Sequence, residues 1–178
     1  YELLADMGWQ AEKLDLDQWL EDYCQARYGY CDEKVMEAWR LLHGSVYSSL
    51  YSYPRFTWQT VVPDQRRKSL HDIDDDFGRA VKYLLKAADS CAESQLYVND
   101  IVEFASLWLG ELADRHYEKA LSLRGTAEGA VELSAAIELL TVADRLLASH
   151  PNHQLSRWVS DARAWGDGPK AEHFEADA

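Results

Sequence analysis

The sequence has 178 residues, enough for one domain with a core, and 47% of them are apolar, which excludes a chain that is disordered throughout. Acidic residues outnumber basic ones by 31 to 18, giving a formal charge of −13. Such a surface repels a phosphate backbone and carries no basic stripe, so the composition excludes nucleic acid as a partner. No apolar run approaches the roughly 20 residues of a membrane span.

Helical periodicity is present from the first residues. The opening segment predicts the end of a helix, and Asp15 or Asp17 is suited to cap a second helix that runs to about Arg27. Gly29 is expected to end that helix and Asp32 to begin a third, so that the two form an antiparallel hairpin. The spacing of apolar residues predicts the inner face of the third helix: Val35, Met36, Trp39, Leu42 and Val46.

The helical pattern fails between residues 48 and 71. Pro54 and Pro63 forbid a continuous helix there, and the aromatic and β-branched residues favour extended structure. Loops of this length inside compact domains are usually functional or disordered, and the composition argues against disorder. The rings either pack the loop onto the helices, which is the favoured interpretation on composition alone, or bind a ligand: Tyr51, Tyr53, Phe56 and Trp58.

The second half of the chain returns to helical spacing. An acid run at residues 72–76 is expected to open a helix, because carboxylates favour the positive end of the helix dipole. Long helices are predicted over about 96–123 and 127–148, and a shorter helix is expected to begin at Pro151. The predicted class is therefore all-α: a mostly antiparallel helical bundle with one long aromatic loop and no sizeable sheet.

No motif in the chain carries complete catalytic or metal chemistry. The acid run lacks the Gly and the final Glu of a calcium loop, because Phe77 and Tyr83 occupy those positions. His150 and His153 stand three apart without a third ligand. There is no glycine-rich phosphate loop and no nucleophile turn. These motifs therefore predict no metal and no cofactor, and the sequence alone does not single out a catalytic carboxylate pair among its 31 acidic residues.

Three cysteines are too few, and odd in number, for a disulfide framework. Cys24 and Cys31 flank a predicted helix break and are close enough in sequence to meet. Free thiols, buried or partly exposed, are the favoured interpretation for Cys24, Cys31 and Cys91.

Several ordered stretches resemble the C-terminal helical domain of alpha-N-acetylglucosaminidases, the enzymes of glycoside hydrolase family eighty-nine. They are Tyr-Glu-Leu-Leu-Ala-Asp-Met-Gly-Trp at residues 1–9, Arg-Tyr-Gly at 27–29, Ala-Trp-Arg-Leu-Leu at 38–42 and Ser-Val-Tyr at 45–47. The likeness continues more weakly through residues 97–117, 158–163 and 172–177. It covers most of the chain.

The resemblance implies a parent protein with a small N-terminal domain, a (β/α)-barrel and this helical domain. Residues 1–178 are then expected to be a single all-helical domain, a C-terminal fragment of a larger glycosidase truncated at both ends. Members of the family remove terminal α-linked N-acetylglucosamine with retention, using two glutamates. Both precede the region that matches Tyr1, so the isolated chain is expected to be inactive.

The resemblance also implies a substrate contact. In the family, a tryptophan in the loop after the early helices contacts the sugar, and Trp58 matches it by position. The family's Arg-Pro pair before that tryptophan is replaced here by Tyr53-Pro54-Arg55. Arg55 is a second candidate on chemistry alone, since a guanidinium donates to hydroxyls and carboxylates.

The first hypothesis for function is therefore a non-catalytic wall of the substrate cleft of an alpha-N-acetylglucosaminidase. Its partners would be the upstream barrel and a glycan ending in N-acetylglucosamine. The alternative is a stand-alone acidic helical module that binds another protein. The compartment stays open, and a secreted or cell-surface parent is compatible with the resemblance.

Overall fold

The computed structural model of the protein describes residues 2–10, 12–45, 47 and 75–165. A 3₁₀ turn lies at Pro151–His153, and the described α-helices are, in chain order, α1 (Glu2–Trp9), α2 (Leu16–Tyr28), α3 (Glu33–Gly44), α4 (Asp76–Lys86), α5 (Ala88–Cys91), α6 (Gln95–Ser122), α7 (Ala127–Ala148) and α8 (Leu155–Trp165). These ranges contain no strand, so the all-α prediction is confirmed for them. The predicted aromatic loop lies outside the described residues.

The boundaries of α2 and α3 follow from their capping residues. The Asp15 carboxylate accepts hydrogen bonds from the backbone N–H groups of Asp17 and Gln18, which decides between the two predicted caps. Gly29 ends α2 with φ +73°, a conformation that glycine adopts without a steric penalty. Asp32 then accepts from the first-turn N–H groups of α3. The predicted helix break is therefore confirmed at both of its ends.

Two short helices, α3 and α4, pack against each other in the core. The predicted inner face of α3 is confirmed at its described positions, and Val46 lies outside them. Helix α4 begins at Asp76, whose carboxylate accepts a hydrogen bond from Arg79 at 2.6 Å. The helix-opening role predicted for the acid run is thus confirmed for Asp76. The buried side chains of the pair are Val35, Met36, Ala38, Trp39, Leu42, Phe77, Ala80, Val81 and Leu84.

The long helices α6 and α7 occur where the sequence predicts them, within one residue at each end. The turn between them places Gly129 so close to the preceding backbone that an added Cβ would lie 2.3 Å from the carbonyl oxygen of Leu123. Only glycine fits at that position. Thr126 caps α7 by accepting from the Gly129 N–H at 3.0 Å.

The chain divides into two compact units. The first contains α1 to α5 and residues 95–101 of α6, and the second contains residues 102–122 of α6, then α7 and α8. Among the described helices, none combines the length and the apolar character that a membrane crossing requires.

Candidate functional site

The first unit contains an open cleft of about 490 Å³, which we call the aromatic cleft. Helices α1, α2 and α3 provide its walls, and Tyr47 extends it just beyond α3. Ring and aliphatic side chains dominate the lining, with three groups that can carry charge. The lining residues are Glu2, Leu3, Leu16, Trp19, Leu20, Tyr23, Arg27, Trp39, His43 and Tyr47.

A continuous series of rings forms one side of the aromatic cleft. Trp19 stacks on Tyr23 with ring centroids 5.0 Å apart, and Tyr23 meets Trp39 edge to face at the same distance. Trp39 in turn lies parallel to Tyr47 with centroids 6.4 Å apart. The i, i+4 spacing of Trp19 and Tyr23 places both on one face of α2. Such stacked and edge-to-face pairs hold each ring in a defined orientation.

A charged hydrogen-bond network anchors the polar edge of the cleft. Arg27 donates from Nε and Nη2 to the two carboxylate oxygens of Asp100, at 2.6 and 2.7 Å. The Tyr28 hydroxyl donates to the same carboxylate at 2.8 Å. Glu2 lies 4.0 Å from the Arg27 guanidinium on its other side. One guanidinium therefore links α1, α2 and α6 within the first unit.

Hydrogen bonding raises the pKa of Arg27, and burial raises the pKa of three tyrosine hydroxyls in or beside this network. The hydrogen bond to Asp100 raises the pKa of Arg27 further above its usual range, so that Arg27 stays a cation. Burial raises the pKa of the Tyr23 and Tyr28 hydroxyls well above the usual value, so both remain neutral donors. Burial also raises the pKa of Tyr97 to about 12, and its hydroxyl donates to the Leu84 carbonyl oxygen at 2.7 Å.

This arrangement is suited to binding and positioning rather than to bond breaking. Flat rings offer apolar faces to a ligand, while Glu2, Arg27 and His43 supply polar contacts at the rim. Asp100 already accepts three hydrogen bonds from Arg27 and Tyr28, so it is committed to the network. Among the described residues, no group of three or more His, Cys, Asp or Glu side chains is placed to hold a metal ion.

The two residues predicted to contact a ligand, Trp58 and Arg55, lie outside the described residues, and both stay predictions. The pairing of Arg27 with Asp100 was not predicted, because 73 positions separate the partners and no local pattern connects them. The helical spacing of Trp19, Tyr23 and Arg27 on α2 was the available indication that these side chains share a face.

A family model described as the alpha-N-acetylglucosaminidase C-terminal domain matches residues 19–178. The chain belongs to this family. The match begins within α2, at Trp19, one of the rings of the aromatic cleft, and includes every described helix after it. The family resemblance noted in the sequence is therefore confirmed.

Human alpha-N-acetylglucosaminidase is 33% identical to the chain over 176 residues, an alignment that covers 92% of this chain. The chain spans 23% of the length of that relative. Membership of the C-terminal-domain family thus rests on sequence along nearly the whole chain.

Solved structures of a family 89 glycoside hydrolase from Clostridium perfringens are similar in fold. The complex with PUGNAc has a TM-score of 0.71 and 24% identity, over 92% of this chain and 20% of that one. A second complex holds that enzyme's substrate, GlcNAc-alpha-1,4-galactose, and has a TM-score of 0.76 over 94% of this chain and 20% of that one. At 24% identity, these likenesses concern the fold.

Proposed function

We propose that this chain is the C-terminal part of a longer alpha-N-acetylglucosaminidase and forms a non-catalytic wall of its substrate cleft. The parent enzyme hydrolyses terminal α-linked N-acetylglucosamine with retention of configuration. The observation that carries the proposal is the family match over residues 19–178, together with the 33% identity to the human enzyme.

The chemistry of the aromatic cleft supports a wall without catalytic groups. A retaining glycosidase needs two carboxyl groups about 5–5.5 Å apart, one as nucleophile and one as acid and base. Among the described lining residues, Glu2 is the only carboxylate, and it lies beside the Arg27 cation. As the family resemblance implies, the two catalytic glutamates are assigned in this proposal to an upstream (β/α)-barrel of the same protein.

Within this proposal, Trp58 positions the terminal sugar. It follows Tyr47, which lines the aromatic cleft, along the chain. An indole face packs against the apolar C–H face of a sugar ring, and Arg55 is suited to donate to its hydroxyls. Correct placement of the glycosidic bond against the barrel's glutamates matters because small misplacements reduce rates by about 100-fold.

The test is hydrolysis of a chromogenic α-N-acetylglucosaminide by the full-length protein, by the chain of residues 1–178 alone, and by full-length Trp58→Ala. We expect an active parent, an inert fragment, and a variant whose kcat/KM falls by about 100-fold. Full-length Trp158→Ala is the matched control, since it removes an indole that is 68% exposed in the second unit. We expect this control to retain parental activity.

Each alternative gives a different result. Full activity of Trp58→Ala would mean that the domain supports the enzyme without touching the sugar. An active isolated fragment would contradict the assignment of both glutamates to the barrel. A parent without activity on this sugar would reject the glycosidase proposal and favour the acidic protein-interaction module.

A further inference from the structure

The polar edge of the aromatic cleft carries a hydrogen-bond donor and an acceptor that do not reach each other. Nη1 of Arg27 lies 4.0 Å from Oε1 of Glu2, beyond the roughly 2.7–3.2 Å of an N–H···O hydrogen bond. The other two guanidinium nitrogens, Nε and Nη2, both donate to Asp100. Asp100 therefore fixes the Arg27 side chain and leaves Nη1 as the nitrogen that approaches Glu2.

A hydroxyl group is the ligand group that fits this gap, because it accepts one hydrogen bond through its oxygen and donates another. An oxygen about 2.9 Å from Nη1 and about 2.7 Å from Oε1 completes a triangle on the 4.0 Å base. A carboxylate or phosphate group would meet the like charge of Glu2, and an ammonium group would meet the like charge of Arg27. The pair therefore favours a neutral ligand that carries hydroxyl groups.

Aromatic rings lie beside this polar pair in the same cleft. The Arg27 guanidinium lies over the Tyr23 ring, with Cζ 5.6 Å from the ring centroid, and Tyr23 stacks on Trp19. Trp19 is oriented by α1, since its Nε1 donates to the Asp6 carboxylate at 2.7 Å. A pyranose ring has apolar C–H faces and a hydroxyl edge, so aromatic rings beside a hydroxyl-binding pair match both of its parts.

The aromatic cleft is not suited to the sugar whose glycosidic bond is cleaved. Retaining hydrolysis needs two carboxyl groups about 5–5.5 Å apart, whereas Glu2 is the only carboxylate among the described lining residues. An enzyme that removes a terminal sugar meets every further sugar of the glycan on the leaving-group side of that bond. A sugar held in this cleft therefore belongs to the leaving group.

We propose that the aromatic cleft binds a neutral sugar of the leaving group, the one that follows the terminal N-acetylglucosamine in the glycan. One hydroxyl of this sugar bridges Nη1 of Arg27 and Oε1 of Glu2, and its C–H face lies against the rings of the cleft. The inference rests on the proposed glycosidase function, and it adds to that proposal a second sugar contact with its own residues.

The test compares two substrates of the full-length protein that share the terminal N-acetylglucosamine and differ in the leaving group. One is the chromogenic nitrophenyl α-N-acetylglucosaminide, whose leaving group has no hydroxyl to bridge the pair. The other is GlcNAc-alpha-1,4-galactose, the substrate named for the Clostridium perfringens enzyme. The measured quantity is the ratio of kcat/KM for the disaccharide to kcat/KM for the nitrophenyl glycoside.

Glu2→Ala should lower this ratio by about tenfold or more, because the sugar hydroxyl loses its hydrogen bond to a charged acceptor. Glu2→Gln should recover most of the ratio, since its amide oxygen still accepts from the hydroxyl. The Glu2 side chain is 64% exposed, so both variants are expected to fold. Glu21→Ala is the matched control: it removes an exposed carboxylate of α2 outside the cleft lining, and the ratio should not change.

Two results would overturn the inference alone. A ratio that Glu2→Ala leaves at the natural value would show that no leaving-group hydroxyl binds at this pair. A Glu2→Gln ratio as low as that of Glu2→Ala would show that Glu2 acts through its charge on Arg27 and not as an acceptor. The nitrophenyl glycoside tests the proposed function separately, because a natural protein inactive on that substrate rejects the proposed function and, with it, this inference.

Discussion

The pair α3 and α4 and the longer helix α7 are stabilised in different ways. Helix α3 has 12 residues and α4 has 11, and each buries five, including large side chains such as Trp39, Leu42 and Phe77. Helix α7 has 22 residues, yet its fully buried positions are Gly129, Ala136 and Ala143.

The comparison distinguishes helices that depend on tertiary packing from a helix that depends more on its own sequence. Short helices are marginal in isolation, so α3 and α4 depend on the face they bury. Helix α7 is rich in Ala, Leu and Glu and is capped by Thr126, so that more of its stability comes from its own backbone and side-chain propensities. Ionic contacts occur in both regions: the Asp100 side chain is 6% exposed in the first unit, and that of Glu132, which pairs with Lys119 between α6 and α7, is 15% exposed.

The largest effect is expected from Asp100→Ala. The change leaves the Arg27 cation, whose side chain is 20% exposed, without its bidentate partner and also removes the acceptor of the Tyr28 hydroxyl. Breaking a buried pair from one side costs about 3–5 kcal/mol, and denaturant unfolding measures it. The control is Asp17→Ala, whose side chain is 69% exposed and contacts Arg40 at 3.0 Å. Its expected cost is below about 1 kcal/mol, and equal costs for the two variants would contradict the network's role.

The second-largest effect is expected from an apolar side chain of α4, and it is compared with an apolar side chain of α7. Leu84→Ala, at a fully buried site on α4, should lower the free energy of unfolding by about 2–5 kcal/mol, because it removes packed atoms and leaves a cavity. Ile137→Ala on α7 should change it by less than about 0.5 kcal/mol, since Ile137 is 56% exposed and alanine favours helix. Urea unfolding of both variants checks the contrast. A large cost at Ile137 would show that the α7 face is buried in the protein tested.

Helix positions were predictable from sequence because their determinants are local. Asp32, Gly29 and the apolar spacing of α3 act within a few residues, and each had the expected effect. The buried face of the long helices was harder to predict from the sequence. In α7 the small Ala136 and Ala143 are buried, whereas larger apolar side chains at helical spacing remain substantially exposed, including Leu133 at 41% and Ile137 at 56%.

The aromatic cleft was only partly predictable, for the same physical reason. The sequence indicated that Trp19, Tyr23 and Arg27 share a face of α2. It did not indicate that Asp100, on a helix far along the chain, would fix Arg27. Pairings across such separations depend on how helices pack, which periodicity does not encode. The family match, by contrast, followed from ordered stretches that sequence comparison detects directly.

The smallest effect concerns the ionic contacts of α7 and depends on pH. Lys119 Nζ donates a hydrogen bond to one carboxylate oxygen of Glu132, and His116 Nδ1 lies 2.6 Å from the other. The hydrogen bond from Lys119, and then the one with His116, lowers the pKa of Glu132 below its usual 4.5. The unfolded state therefore binds this proton more readily than the folded state does.

A carboxyl group whose pKa is lowered by folding stabilises the folded state fully at pH values above the pKa that it has in the unfolded chain. This stabilisation is lost as pH falls through the lower pKa of the folded state. We therefore expect Glu132→Gln to lower the unfolding midpoint near pH 6, with the difference from the natural sequence shrinking as pH falls below the usual glutamate pKa of about 4.3. The control is Glu138→Gln, an exposed position on the same helix. A Glu132→Gln difference that stays constant across this range would mean that the side chain acts through its shape rather than its charge. Ionic contacts would then contribute as little to α7 as its exposed apolar residues do.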